Sequence, residues 1–156
     1  MDNRPLAFID IDGVLNRICS NSEAKQRELV RRHAYSAGLR WSLWLDPKDH
    51  GRLTRLAGSF ELAWGTTWEH DAHSAVGEFL RVPEFSVVAT SSSEERTKVP
   101  GVLRAAQGRP FVWFDDMVDP EDIDAPQPHR VFRVSPIEGL TDELVDLALQ
   151  WAEDPA

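Results

Sequence analysis

The chain is poor in several things, and each shortage excludes something. Cys19 is its one cysteine, so no disulfide can form within it. No apolar stretch approaches the roughly 20 residues that a membrane helix needs. The N-terminus, MDNRPLAFID, has no basic region followed by an apolar run, so no signal peptide is expected. These features fit a cytoplasmic protein that does not engage a membrane. Positive charge is also in deficit, with 17 Lys and Arg against 26 Asp and Glu and a net charge of -9. That argues against broad electrostatic binding to nucleic acid and leaves room only for a local basic patch. There is no internal repeat and no low-complexity linker.

What remains is an ordinary globular composition, 42% hydrophobic and 28% charged over 156 residues. It fits one domain, residues 1–156, with a proper core. Strand patterns occur at residues 6–11, 60–64, 85–89, 111–114 and 131–134. A short strand or flap edge is expected at 40–45. Residues 22–35 are mostly polar and read as a weak, solvated helix or a mobile insert. Asp46 and Pro47 resemble an N-cap and first-turn proline, opening a helix that carries Leu53, Leu56, Ala57 and Phe60 and stops at Gly58. Helices are also expected over 68–80 and 102–107, the latter ended by Gly108. Thr141 is placed to cap a last helix, with Leu144, Leu147, Ala148 and Trp151 on one face. Residues 90–97 and the proline-containing acidic run 119–128 read as loops. Strands alternating with helices predict an α/β protein with a parallel sheet of about five strands and helices on both faces.

The most informative segment is LAFIDIDGVLN, residues 6–16. Leu6, Ala7, Phe8 and Ile9 suit a strand buried on both faces. Asp10 and Asp12 follow where that strand ends, and in such a setting two carboxylates repel each other and lose hydration. A cation relieves both problems, and Gly13 lets the backbone turn sharply beside it. A calcium loop does not fit, because the twelfth position counted from Asp10 is Asn21 rather than Glu. FVWFDD, residues 111–116, repeats the logic with four apolar residues and then Asp115 and Asp116. Hard oxygen donors without a nearby His or Cys cluster favour Mg²⁺ over zinc.

DIDGVLN resembles the first motif of the haloacid dehalogenase-like (HAD) superfamily. The resemblance implies a Rossmann-like fold and a Mg²⁺-dependent phosphohydrolase. It implies that Asp10 is the nucleophile that takes the phosphoryl group. Asp12 would be the general acid and base, its backbone carbonyl helping to hold the metal. A second HAD motif is an apolar strand ending in Thr or Ser that binds phosphate; Thr66 fits it, with Thr67 as the rival. The third places a Lys or Arg beside nucleophile and phosphate. Among the three lysines, Lys25, Lys48 and Lys98, Lys98 stands in the right interval, with Arg96 as fallback. The fourth motif falls on Asp115 as direct metal ligand and Asp116 as support, with Asp119 a weaker candidate. The segments W-G-T-T-W, W-F-D-D and S-P-x-x-G-L-T (Ser135 to Thr141) are similar to the HAD-like domain group associated with Swiss Army Knife RNA repair proteins.

Residues 17–46 form an insert too short for a large cap, which implies a capless protein or one with a small flap. An open cleft suits a phosphate monoester on a bulky group, such as a nucleotide or nucleic-acid end. Trp68 would offer a stacking surface, and Arg31, Arg32 and Arg40 local positive charge; the alternative is that Trp68 belongs to the core and the arginines are solvated. The alternatives are a small-metabolite phosphatase and a non-catalytic protein that binds a phosphorylated ligand or a partner.

Overall fold

The computed structural model describes residues 2–90 and 98–156. Strand β1 (Leu6–Ile9) is buried along its whole length. Helix α1 (Asn21–Gln26) opens on a capping box in which the Ser20 hydroxyl accepts from the Glu23 amide and Glu23 accepts from the Ser20 amide. Strands β2 (Val30–Ser36) and β3 (Leu39–Leu45) then form an antiparallel ribbon. Its turn residues, Ala37 and Gly38, both have positive φ (52° and 74°), the turn geometry that matches the twist of a two-stranded ribbon.

Next come α2 (Asp49–Ala57) and β4 (Glu61–Trp64). A helical stretch follows that changes pitch twice: a 3₁₀ turn (Glu69–Asp71), a π-helical turn (His73–Gly77) and α3 (Glu78–Leu80). The remaining elements are β5 (Ser86–Val87), α4 (Val99–Ala106), β6 (Phe111–Asp115), a 3₁₀ turn (Pro120–Asp122), β7 (His129–Arg133) and α5 (Asp142–Glu153).

Five parallel strands make the main sheet in the order β5-β4-β1-β6-β7. Side chains alternate across it and so build two cores. Ala7, Ile9, Leu62, Trp64, Val112 and Phe114 face α2, α5 and the helical stretch over 69–80. Leu6, Phe8, Ala63, Phe111 and Trp113 face Val102 and Ala106 of α4. The chain is therefore α/β, with helices on both sides of a Rossmann-like sheet. Among the described residues, no helix is long and apolar enough to cross a membrane. The direction of winding reverses between β1 and β6. In open α/β sheets, ligands lie beyond the carboxyl ends of the strands at that point.

Several expectations need correction. Residues 22–35 are not one helix: α1 ends at Gln26, Glu28 takes a positive φ of 57°, and β2 begins at Val30. Pairing with β3 buries Ala34 and overrides the weak helical pattern. Asp46 caps the turn before α2 rather than the helix itself, its Oδ1 accepting from the Lys48 amide at 2.9 Å. In α5 the buried stripe is Val145, Ala148 and Trp151, while Leu147 is exposed. Thr141 does cap this helix, its hydroxyl accepting from the Leu144 amide.

One buried structure had no forecast. Arg17 is 1% exposed and forms an ion pair with Asp49, which is fully buried. The same guanidinium donates to the carbonyls of Leu15 (2.9 Å), Leu140 (2.9 Å) and Glu138 (3.2 Å). Arg52 adds a second bond to Asp49 at 2.9 Å. Burial still pushes the Asp49 carboxyl above its ordinary pKa, against the pull of Arg17 and Arg52. This knot fastens the loop after β1 to the start of α2 and to the loop before α5.

Candidate active site at the carboxyl edge of the sheet

Strand register brings the first carboxylates together. Ile9 pairs with Phe114, and the Asp10 amide donates to the Phe114 carbonyl at 3.1 Å. Asp10 and Asp115 therefore stand side by side just past the central strands. Both are buried, at 5% and 0% exposure. On the other flank Ile9 pairs with Trp64, and the Gly65 amide donates to the Ile9 carbonyl, which puts Thr66 beside the same edge.

Lys98 completes the cluster. It immediately precedes α4, whose first turn runs close under the end of β5: a Cβ on Gly101 would collide with the Ala89 carbonyl. From there the Lys98 ammonium reaches Asp10 Oδ2 at 3.1 Å and also pairs with Asp115. Asp115 Oδ1 accepts from the Met117 amide at 2.9 Å, and Asp10 Oδ1 from the Ile11 amide at 2.8 Å. Asp116 is half-buried beside them. Oxygens of Asp10, Asp115 and Asp116 all lie within 4.8 Å of one another. Gly13, with φ +81°, passes so close to the Asp116 carboxylate that no Cβ would fit. The glycine thus permits both the turn and the approach of Asp116.

Among the described residues, one ammonium stands against three carboxylates. Burial pushes Asp10 from 3.8 up to about 7, with Asp115 adding repulsion and Lys98 opposing it. Burial also raises Asp116, helped by the charge of Asp115. Burial works against charge on Lys98 too, yet Asp10 and Asp115 outweigh it and raise its pKa. The cluster is a strained anionic pocket of hard oxygen donors, a donor set that fits a divalent cation such as Mg²⁺.

Asp12 stands apart from these three. It lies at the exposed rim, where Oδ2 accepts from Trp68 Nε1 at 3.0 Å and Oδ1 from Asn16 Nδ2 at 2.9 Å. Asn16 Oδ1 accepts in turn from the Trp44 amide at 2.8 Å, which ties Asp12 to the β2–β3 ribbon. Asp12 is thus carried out of the carboxylate cluster and held in one orientation. The two threonines also separate. Thr66 is 1% exposed and its hydroxyl accepts from the Trp68 amide at 3.3 Å, whereas Thr67 is exposed.

Other expected contributors are engaged elsewhere. Asp119 pairs with Arg133 and caps the 3₁₀ turn over Pro120–Asp122, so it is not part of the cluster. Trp68 is 7% exposed, so it walls the site rather than offering a free stacking face. Arg32 donates to the carbonyls of Ser74 and Ala75 (3.0 and 2.9 Å) in the π-helical turn, and Arg31 covers Trp44 at 5.2 Å. Strand alternation puts Arg31 and Arg40 on the ribbon face opposite Arg32 and Trp41, so these arginines do not form a basic overhang. Arg96 lies outside the described residues, as does most of the polar run 90–97.

Asn16 and Trp41 were missed. Asn16 closes the DIDGVLN segment and could have been flagged as a polar residue in an otherwise apolar tail. Trp41 carried no signal until the ribbon was seen. Comparison with protein-family models, with curated proteins and with solved structures gave no match.

Proposed function

We propose that this chain is a Mg²⁺-dependent phosphohydrolase that passes the phosphoryl group of a monoester through Asp10. The observation that carries this is the Asp10–Asp115–Asp116 cluster around Lys98, at the winding reversal of a parallel sheet. The resemblance of four ordered motifs to the HAD superfamily points the same way. Asp10, Asp115 and Asp116 would hold Mg²⁺, which supplies charge neutralisation at the phosphoryl oxygens.

The chain's own residues account for the remaining chemistry. A carboxylate oxygen of Asp10 attacks phosphorus, and the bond from phosphorus to the leaving oxygen breaks. Asp12, held by Trp68 and Asn16, gives its proton to that oxygen. It then takes a proton from water as the water oxygen attacks the aspartyl phosphate. Orthophosphate leaves and the Asp10 carboxylate returns. Lys98 and the Thr66 segment hold the phosphoryl oxygens meanwhile.

The test is phosphate release by the purified chain from nucleotides, sugar phosphates and phosphorylated nucleic-acid ends. Release should stop with a chelator and return with Mg²⁺. Metal-independent release, or none from any substrate, would refute the proposal.

A further inference from the structure

Beside Asp12 the ribbon and the start of the helical stretch enclose a cleft of about 240 Å³. It is lined by Asp12, Ser36, Ala37, Trp41, Thr67 and Trp68. The leaving group must pass here, because Asp12 is the residue that protonates it. Trp41 meets Trp68 edge to face, with ring centroids 6.3 Å apart and planes at 67°. Both indole N–H groups are already used, Trp41 on the Ser36 carbonyl at 3.3 Å and Trp68 on Asp12. What the two rings present is therefore aromatic surface rather than donors. Trp68 is the buried wall, while Trp41 is 46% exposed and stands open.

The ribbon is not free to drift. The Ser36 hydroxyl donates to Asp71 at 2.8 Å, and Arg32 fastens the middle of β2 to the π-helical turn. Trp41 is thus an exposed ring on an anchored support. Such a ring is costly to display without a ligand and well suited to stacking.

We propose that this cleft receives the base of a free nucleoside monophosphate and that Trp41 selects it; the proposal rests on the phosphohydrolase assignment of the neighbouring carboxylates. Three features favour a base. The exposed ring of Trp41 suits any flat ring, and the Thr67 hydroxyl, with the lone pairs that Ser36 keeps while donating to Asp71, suits the polar edge that a base has and a plain phenyl ring lacks. With Arg31 and Arg32 engaged elsewhere and a net charge of -9, a polynucleotide has little to follow. A single nucleotide needs no basic track.

The full-length chain is assayed for kcat/KM on adenosine monophosphate, glycerol phosphate, phenyl phosphate and a phosphorylated oligonucleotide. Adenosine monophosphate should be preferred. Trp41→Ala should lower its kcat/KM roughly tenfold more than it lowers that of glycerol phosphate, since one stacking contact is worth about that factor. Trp41→Phe should restore most of the loss. An equal fall on both substrates, or a preference for phenyl phosphate or the oligonucleotide, would overturn the proposal. A calorimetric arm reads the cleft without turnover. Asp10→Asn should bind adenosine monophosphate roughly tenfold more tightly than Asp10→Asn/Trp41→Ala, and equal affinities would overturn the proposal. No phosphate release from any substrate would defeat the phosphohydrolase assignment, and the calorimetric arm would then decide the cleft alone.

Discussion

Asp10→Asn should end turnover and yet make the metal-free protein more stable at neutral pH. The wild-type carboxyl is pushed from 3.8 up to about 7, first by burial and then by Asp115. An acid whose pKa is higher in the folded chain than in the unfolded one binds its proton more tightly when folded. The associated stability is fully present below about pH 4 and is lost as pH rises to about 7. At about 1.36 kcal/mol per pH unit, the interval corresponds to about 4 kcal/mol at most. The attraction of Lys98 is already counted in that interval, and Asn keeps an oxygen for the Ile11 amide, but its NH₂ then faces the Lys98 ammonium, donor against donor. About half of the gain should therefore survive, roughly 2 kcal/mol, or roughly 4–8 °C in melting temperature for a chain of this size. Melting the two proteins with a chelator between about pH 4 and pH 8 is the assay. The wild-type melting temperature should fall across that window and the variant's should fall less. Saturating Mg²⁺ should remove most of the difference. A variant less stable than wild type at about pH 8 without metal would refute the electrostatic reasoning.

The remaining predictions concern the metal, the acid and the frame. Asp115→Ala should weaken Mg²⁺ binding in calorimetry far more than Asp119→Ala, because Asp119 is committed to Arg133 and a cap; the reverse order would remove Asp115 from the ligand set. Gly13→Ala should also weaken Mg²⁺ binding, since its Cβ would displace Asp116; unchanged binding would show that Asp116 contributes nothing. Trp68→Phe removes the donor to Asp12 while keeping an aromatic wall, and should lower kcat on poor leaving groups more than on good ones; an equal effect would deny Asp12 its acid role. Arg17→Met should cost about 3 kcal/mol in urea unfolding because the buried Asp49 would lose its main partner and keep only Arg52, and a loss below about 1 kcal/mol would mean that water reaches the knot.

The sheet could be foreseen because each strand announced itself. Apolar runs such as Leu6 to Ile9 and Phe111 to Phe114 have no outlet but a doubly covered position, and charged residues begin where that cover ends. The same contrast marked Asp10, Asp115 and Asp116. The β2–β3 ribbon was harder to see, because a solvated ribbon alternates only weakly: VRRHAYS buries Ala34 alone, and its partner strand decides the outcome. Arg17 was hidden for a related reason. A lone arginine reads as surface, and only the approach of residues 138–140 to α2 leaves it without water. Trp41 gained meaning only from its position against Trp68. Contacts between elements distant in sequence leave no local pattern to find.

The central claim is that phosphorus passes through Asp10, and trapping tests it most directly. The chain is mixed with substrate and Mg²⁺, quenched in acid during turnover, reduced with borohydride and digested. An aspartyl phosphate is reduced to homoserine under these conditions, and mass spectrometry of the N-terminal peptide locates it. The account predicts homoserine at position 10, dependent on both substrate and Mg²⁺, and absent from Asp10→Asn. Turnover with no modification there, or with the modification at Asp12 or Asp115, would contradict it.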